Sequence, residues 1–367
     1  MQTINDIDKW ERTVRFDESR NSVVLIDQRK LPYRYELVFT KDFYETARAI
    51  KDMTVRGAGA IGATAAYGMA QAALSFRGED KTAFESLIFE AMYQLKSARP
   101  TAVDPANAID FVMSRVISKD SIDDQKKSIL AAAHEFAEAQ IKQCYNIGLH
   151  GAELLFDGMR ILTHCNAGAL AFVAIGSATA PIYVAKKLGK KTYVFCDETR
   201  PRCQGASLTA WELARAGISH EIIVDNCAGY LMSKRQIDAV IVGCDRLLAK
   251  TGHIVNKIGT YTKAVLAHRH SIPFYVALPI STIDWQCDSV DLVPIEERDS
   301  DEVLYMNGLD MDGVIRRIRI ANPGSPARNP AFDITPPDLI TAYITPIGVL
   351  KRSELGQLKT KSITDVG

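Results

Sequence analysis

The sequence predicts a two-part α/β protein: a smaller α-rich N-terminal domain with a short antiparallel sheet, followed by a larger domain built on a mostly parallel sheet. Three features point there. Two β-rich runs open the chain, helical spacing with few breakers fills residues 43–155, and from Ile161 short apolar runs alternate with helical segments. At 367 residues the chain is long enough for two domains of about 150 residues or more, each able to bury a substantial core. The change of period puts the division at 1–150 and 151–367.

In chain order, SVVLID (22–27) and YRYELVF (33–39) read as strands flanking a polar turn, Gln28-Arg29-Lys30-Leu31-Pro32, in an antiparallel ribbon. Residues 43–53, 61–76, 81–98, 105–117 and 122–155 carry helical spacing. Beyond them ILTHC (161–165), TYVFC (192–196), EIIV (221–224), AVIVG (239–243) and PFYVAL (273–278) alternate with helical stretches at 169–188, 208–216, 230–236 and 260–270. Such alternation gives right-handed βαβ units and a sheet covered on both faces, with ligands bound beyond the carboxyl ends of the strands. Polar residues collect at those ends: His164-Cys165-Asn166, Asp197-Glu198-Thr199-Arg200, Asp225-Asn226 and Asp245-Arg246. From Glu296 the pattern loosens into a charged segment, a β-like VIRRIRIA (314–321), a turn-rich NPGSPARNP (322–330) and a last strand at 339–345. Residues 351–367 read as a short helix or a loose tail.

Forty-four basic residues balance 44 acidic ones, which argues against nucleic acid or an anionic membrane as the main partner. Seven cysteines stand at uneven spacings with no C-x-x-C pair, against a disulfide framework or a structural zinc site. The first ten residues hold Asp6 and Asp8 and no apolar run, unlike a signal peptide, so a cytoplasmic protein with reduced thiols is expected. Two charge-free stretches, 57–76 and 166–185, are mostly Gly, Ala, Ser and Thr and read as buried, closely packed helices rather than membrane spans.

Gly57-Ala58-Gly59-Ala60-Ile61-Gly62 has the letters of a dinucleotide fingerprint. That motif must follow a strand, whereas an amphipathic helix pattern precedes it here. Arg56 beside the glycines suggests instead a helix N-terminus that holds one phosphate; a third reading is a small-residue face for helix packing. Cys165 follows a strand and precedes a Gly/Ala helix, where a thiol can become a base, nucleophile or proton carrier, although lone cysteines more often serve as small buried hydrophobes. Asp245, in GCDR, can serve as a general acid if burial keeps it protonated, or simply as a helix cap or partner of Arg246. Arg99, Gln204, Asn256 and Lys257 add two positive charges and neutral donors, while His268 and His270 read as exposed residues at a helix end. With no metal cluster in the pattern, the set suits a small phosphorylated substrate undergoing proton or hydride movement.

The blocks VRGAGAIGATAAYG (55–68), ARPTAV (98–103), LTHCNAGALA (162–171), DETRPRCQGASLTAWEL (197–213), DNCAGYLM (225–232), GCDR (243–246), VNKIGTYTKAVLA (255–267), PFYVALPISTID (273–284), PIEERD (294–299) and NPAFDITP (329–336) resemble the methylthioribose-1-phosphate isomerase family. They run in family order through nearly the whole chain. The family also holds isomerases of 5-deoxyribose 1-phosphate and, more distantly, ribose 1,5-bisphosphate. It shares its fold with non-catalytic regulatory subunits of a translation-initiation exchange factor.

The resemblance implies a Rossmann-like C-terminal domain that carries the catalysis and most of a homodimer contact, and an aldose-to-ketose isomerisation that needs no cofactor or metal. It assigns Cys165 as the catalytic cysteine and Asp245 as the proton donor. Arg56, Gly57 and Ala58 become the first phosphate-binding segment and Arg99 the second arginine, with Gln204, Asn256 and Lys257 contacting substrate. Three departures bear on which 5-substituent is preferred. Gly59 stands where many members carry proline, Cys244 precedes the proposed acid, and the segment holding Arg316, Arg317 and Arg319 is longer than usual.

Overall fold

The computed structural model describes residues 11–99, 102–117, 120–361 and 364. Its first element is an antiparallel sheet in the order β1 (Val14–Asp17), β2 (Ser22–Ile26), β3 (Leu37–Phe39). The expected ribbon is thus joined by a further strand, β1, which is too short and polar to stand out in the sequence.

Five helices follow: α1 (Phe43–Lys51), α2 (Ala58–Ser75), α3 (Lys81–Ser97), α4 (Val103–Ser114) and α5 (Ile122–Ala152). Carboxylate and hydroxyl caps set three of their starts, with Asp42, Asp80 and Ser121 accepting from first-turn backbone N–H groups. Helix α2 is different, because every residue from Ala58 to Ala73 is buried. A helix apolar on all sides belongs at the centre of its layer, and α1, α3, α4 and α5 pack around it. Residue 150 lies in the last turns of α5, and one apolar cluster crosses it, joining Ala60, Phe136 and Ile147 to Ile161, Phe172 and Val184.

The second half alternates β4 (Arg160–Thr163), α6 (Ala180–Lys187), β5 (Tyr193–Asp197), α7 (Ala210–Arg215), β6 (Ser219–Ile223), α8 (Cys227–Ser233) and β7 (Ala239–Val242). After β8 (Arg246–Leu248) and β9 (Ile254–Lys257) come α9 (Thr260–Arg269), β10 (Phe274–Ala277) and β11 (Ile283–Asp284). The last elements are α10 (Asp301–Leu304), β12 (Tyr305–Leu309), β13 (Ile315–Arg319), β14 (Phe332–Thr335), β15 (Ala342–Thr345) and β16 (Gly348–Leu350). Seven strands form one sheet in the order β16-β15-β10-β7-β4-β5-β6, parallel except for β16. Strands β7 and β15 are buried along their whole length, as a sheet covered on both faces requires.

From β4 the chain steps outward to β5 and β6, then returns to place β7 on the other side of β4. This reversal opens a crevice beyond the carboxyl ends of β4 and β7, where α/β sheets bind ligands. Cys165 follows β4 and Asp245 follows β7.

Two features depart from expectation. A small sheet in the order β11-β8-β9-β14 begins directly after Asp245 and puts Asn256 and Lys257 at the end of β9. Residues 169–188 are not one helix: a single 3-10 turn, Ala169–Ala171, is followed by irregular chain until α6 starts at Ala180. A bridge between Gly168 and Gly176 folds the segment on itself, and the Glu212 carboxylate takes the Ala169 and Leu170 N–H groups at 2.8 and 3.0 Å. The stretch is buried as expected, but Cys165 does not stand at a helix N-terminus. Among the described residues, no helix is long and apolar enough to cross a membrane.

Candidate active site

One cleft at the crevice gathers Arg56, Gly57, Ala58, Arg99, Cys165, Gln204, Asp245, Asn256 and Lys257, all nine positions singled out in the sequence. Also lining it are Met53, His164, Asn166, Phe172, Arg298 and Phe332. Asn166 and His164 flank Cys165 in the sequence, and Arg298 lies in the PIEERD block. Phe172 carries no sequence signal; only the folded loop brings it there.

Strand β4 ends at Thr163, and the chain then turns through Cys165 in the left-handed region, φ 64°. A non-glycine residue held so costs about 1–3 kcal/mol, which its surroundings must offset. Thr199 Oγ1 accepts from the Cys165 N–H at 2.8 Å and Thr209 Oγ1 donates to its carbonyl at 2.7 Å. Asp225, beyond β6, fixes the Thr199 loop by accepting from the Thr199 and Arg200 N–H groups, both at 2.8 Å. Burial pushes the Cys165 thiol up, against the pull of Arg56 and Lys257.

Much of the cationic wall comes from the helical half, which contributes Arg56, Gly57, Ala58 and Arg99 to the lining. Gly57 precedes α2 with φ 98°, and a Cβ there would lie 2.4 Å from the Ala171 Cα, so both conformation and contact demand glycine. This leaves the free N–H groups and positive end of α2 at the cleft. No strand precedes the glycines, since α1 ends at Lys51, so the dinucleotide reading lacks its context. Arg56 is buried and donates to Asn166 Oδ1 at 2.5 Å and to the Asn166 carbonyl at 2.6 Å. Asn166 in turn donates to Glu212 at 2.9 Å. Arg99 reaches Glu296 only at 3.5 Å, its Nε is buried without a partner, and Gln204 Oε1 is likewise unpartnered.

Asp245 accepts no side-chain hydrogen bond among the described residues, and Arg246 turns away to Asp284 at 3.4 Å. Burial pushes the Asp245 carboxyl above the usual range, opposed by Lys257, Arg56 and Arg99. Lys257 is itself buried and pressed downward, its Nζ 4.8 Å from the centre of the Phe332 ring. The site therefore brings a buried carboxyl group and a thiol beside a cationic pocket.

Under the Cys165 turn, His164, Asp197 and Asp225 bring potential metal-ligating atoms within 4.8 Å of one another, a grouping the sequence spacing does not suggest. These groups are occupied with the protein's own donors: His164 Nδ1 and Lys263 Nζ each lie 2.6 Å from Asp197 Oδ2, and Asp225 holds the Thr199 loop. His164 Nε2 also meets the Ile258 carbonyl at 2.8 Å, tying the end of β4 to the residue after Lys257.

Residues 54–352 match the initiation factor 2 subunit family. The chain belongs to that family. It is 44% identical over 358 residues to methylthioribose-1-phosphate isomerase of Desulfatibacillum aliphaticivorans, covering 95% of this chain and 96% of that one. Among solved structures, 5-methylthioribose 1-phosphate isomerase from Pyrococcus horikoshii OT3 matches with TM-score 0.85 and 40% identity over 97% of this chain and 98% of that one. Translation initiation factor eIF-2B, subunit delta, from A. fulgidus matches with TM-score 0.79 and 38% identity over 94% and 96%. The family resemblance read from the sequence blocks is borne out.

Proposed function

We propose that this protein is an aldose–ketose isomerase that converts 5-methylthioribose 1-phosphate to 5-methylthioribulose 1-phosphate. The observation that carries the reading is the convergence of Cys165, Asp245 and the Arg56–Gly57–Ala58 helix start on one cleft, in a chain whose full-length relatives bear that enzyme's name. The positive end of α2, with Arg56, Arg99, Gln204 and Lys257, receives the phosphate.

Phosphate on the anomeric oxygen locks the sugar as an acetal, so the ring must open with O1 still phosphorylated. Asp245, kept as the acid by burial, gives its proton to the ring oxygen as the C1–O4 bond breaks. Hydride then moves from C2 to the electron-poor C1, and the O2 proton returns to the Asp245 carboxylate, leaving a C2 ketone. No proton or electron is left over. In the alternative, a Cys165 thiolate takes the C2 proton and returns it to C1 through an enediol. The buried thiol, pushed upward, favours the hydride route, with Cys165 packed against the reacting carbons.

Arg298 lines the cleft and Arg202 the neighbouring pocket, and both pair with Glu302, at 2.6 and 2.9 Å. Arg316, Arg317 and Arg319, on the β13 side of a hairpin, pair with Asp310, Asp301 and Tyr305. These partnered cations, together with Met53, Phe172 and Phe332 in the lining, favour an apolar 5-substituent over a second phosphate. In keeping with the family, we assign a homodimer joined through residues 151–367.

The test is kcat/KM for methylthioribose 1-phosphate, 5-deoxyribose 1-phosphate and ribose 1,5-bisphosphate, compared without added metal or nucleotide. We expect the first to be preferred and the second to be turned over less well, since a methyl for methylthio exchange is worth only about 1–3 kcal/mol. Activity on none would transfer the chain to the regulatory-subunit reading.

A further inference from the structure

The cleft that holds Cys165 and Asp245 is small. Its free space is about 60 Å³, room for a few waters at about 10–15 Å³ each and too little for a phosphorylated pentose with its 5-substituent. A second cavity, of about 600 Å³, adjoins it, and Met53, Arg56 and Gln204 line both. Gly57, Ala58 and Arg99 line the cleft and not the second cavity. A sugar whose phosphate is anchored at those three residues therefore points its far end toward the shared border.

Of the three border residues, Arg56 is bound to Asn166 through both terminal guanidinium nitrogens, and Gln204 is buried. Met53 is the one that can yield. Its backbone is held in the left-handed region, φ 60°, beside a turn in which Asp52 accepts from the Thr54 N–H at 2.9 Å. Its side chain meets Arg298 through the thioether sulfur, at 3.1 Å, and an unbranched thioether changes rotamer readily. Beyond Met53, the residues Leu31, Pro32, Tyr33, Leu208 and Met306 supply apolar wall. Arg29, Arg202 and Arg317 of this cavity are engaged with Asp27 and Asp52, Glu302, and Asp301 respectively, at distances from 2.7 to 2.9 Å.

We propose that the 5-substituent passes Met53 into the second cavity, and that the protein therefore isomerises ribose 1-phosphates bearing uncharged 5-thio groups much larger than methyl, such as butylthio and benzylthio. The bonds made and broken are those of the methylthio substrate, because the tail takes no part in the chemistry. A pocket closed around a methylthio group would discriminate about 10–200-fold per added methylene. An adjoining open cavity imposes no such penalty, and its engaged arginines leave the advantage with neutral tails.

The inference rests on the isomerase reading, so methylthioribose 1-phosphate serves as the internal standard. The test is kcat/KM for the methylthio, butylthio and benzylthio sugars with the wild type and Asn307→Trp. Asn307 is exposed on β12 and lines the second cavity but not the cleft, so the indole fills that space from a strand position that suits aromatic residues. In the wild type both longer substrates should be turned over within about tenfold of methylthio. Asn307→Trp should lower the benzylthio-to-methylthio ratio about tenfold or more while methylthio turnover stays within about twofold. Met53→Ala, which widens the border, should raise that ratio severalfold. A loss of more than about tenfold from methylthio to butylthio in the wild type would overturn the proposal. So would a ratio that Asn307→Trp leaves unchanged, and an unchanged ratio in Met53→Ala would take the passage away from Met53. Absence of turnover on the methylthio sugar as well would instead refute the isomerase reading itself.

Discussion

Replacing Glu212 with Gln should loosen the site from behind. Each carboxylate oxygen of this buried residue accepts two bonds: Oε1 from Asn166 Nδ2 and the Leu170 N–H at 2.9 and 3.0 Å, Oε2 from the Ala169 N–H and the Tyr183 hydroxyl at 2.8 and 2.9 Å. Whichever way the glutamine amide is turned, its NH2 faces two donors. Only the Tyr183 hydroxyl can rotate to accept, so one or two donors are orphaned, at about 1–3 kcal/mol each. The remaining bonds also lose their charge assistance, and the sum is about 2–4 kcal/mol. Glu212→Ala, which takes the carboxylate away from all four donors, should reach about 3–5 kcal/mol, the range for breaking a buried charged network. The damage reaches substrate through Asn166, whose side chain and carbonyl both receive Arg56, so KM should rise more than kcat falls. Urea unfolding at constant m-value, with steady-state kinetics on the same samples, measures both effects. A glutamine variant within about 1 kcal/mol of wild type and with unchanged KM would show that Glu212 does not brace the phosphate wall.

Further outcomes follow from the same geometry. Cys165→Ser and Asp245→Asn should each abolish turnover while phosphate binding by calorimetry persists; near-normal kcat in either would remove its assigned role. A Cβ at Gly59 would lie 2.3 Å from Phe172 Cδ1, so Gly59→Ala should cost about 1–3 kcal/mol as overpacking, and Phe172→Leu in the same chain should recover part of it. Burial raises the Asp104 carboxyl to about 7 in the folded chain from its ordinary 3.8, so the native protein holds the extra proton between those values. Its contribution to stability is full below about pH 4 and is lost as pH rises through 7, a change of about 4 kcal/mol at about 1.36 per unit. Asp104→Asn should flatten that slope in chemical denaturation series. Glu302→Gln removes the charge that Arg298 and Arg202 share, so relative kcat/KM for ribose 1,5-bisphosphate should rise severalfold, and an unchanged ratio would place the 5-substituent elsewhere.

The alternation from β4 to β10 was legible because buried parallel strands write themselves as short apolar runs. Helices α1 to α5 were legible through their spacing and, in part, their caps. The small β11-β8-β9-β14 sheet was not, since two- to four-residue strands have too few positions to show a period. The 166–179 segment misled for another reason. Its alanines favour helix locally, yet the Glu212 carboxylate, 42 and 43 residues further along the chain from the N–H groups it takes, outcompetes that preference. Cys165 and Asp245 were readable from their strand-end positions combined with family blocks. Asp104 and Phe172 matter through what the fold brings beside them, and nothing adjacent in sequence marks either.

The contact of Gly57 on Ala171, with Arg56 clasping Asn166 110 residues away, means that neither half of the chain owns the cleft. A fragment ending after α5 would keep the phosphate-facing helix start but no acid or thiol; one beginning at β4 would keep both reactive groups and lose their anion anchor. On the proposed assignment, catalytic competence is thus a property of docking. Any opening of that joint wide enough to part Arg56 from Asn166 would silence the enzyme while each half could still retain its own secondary structure.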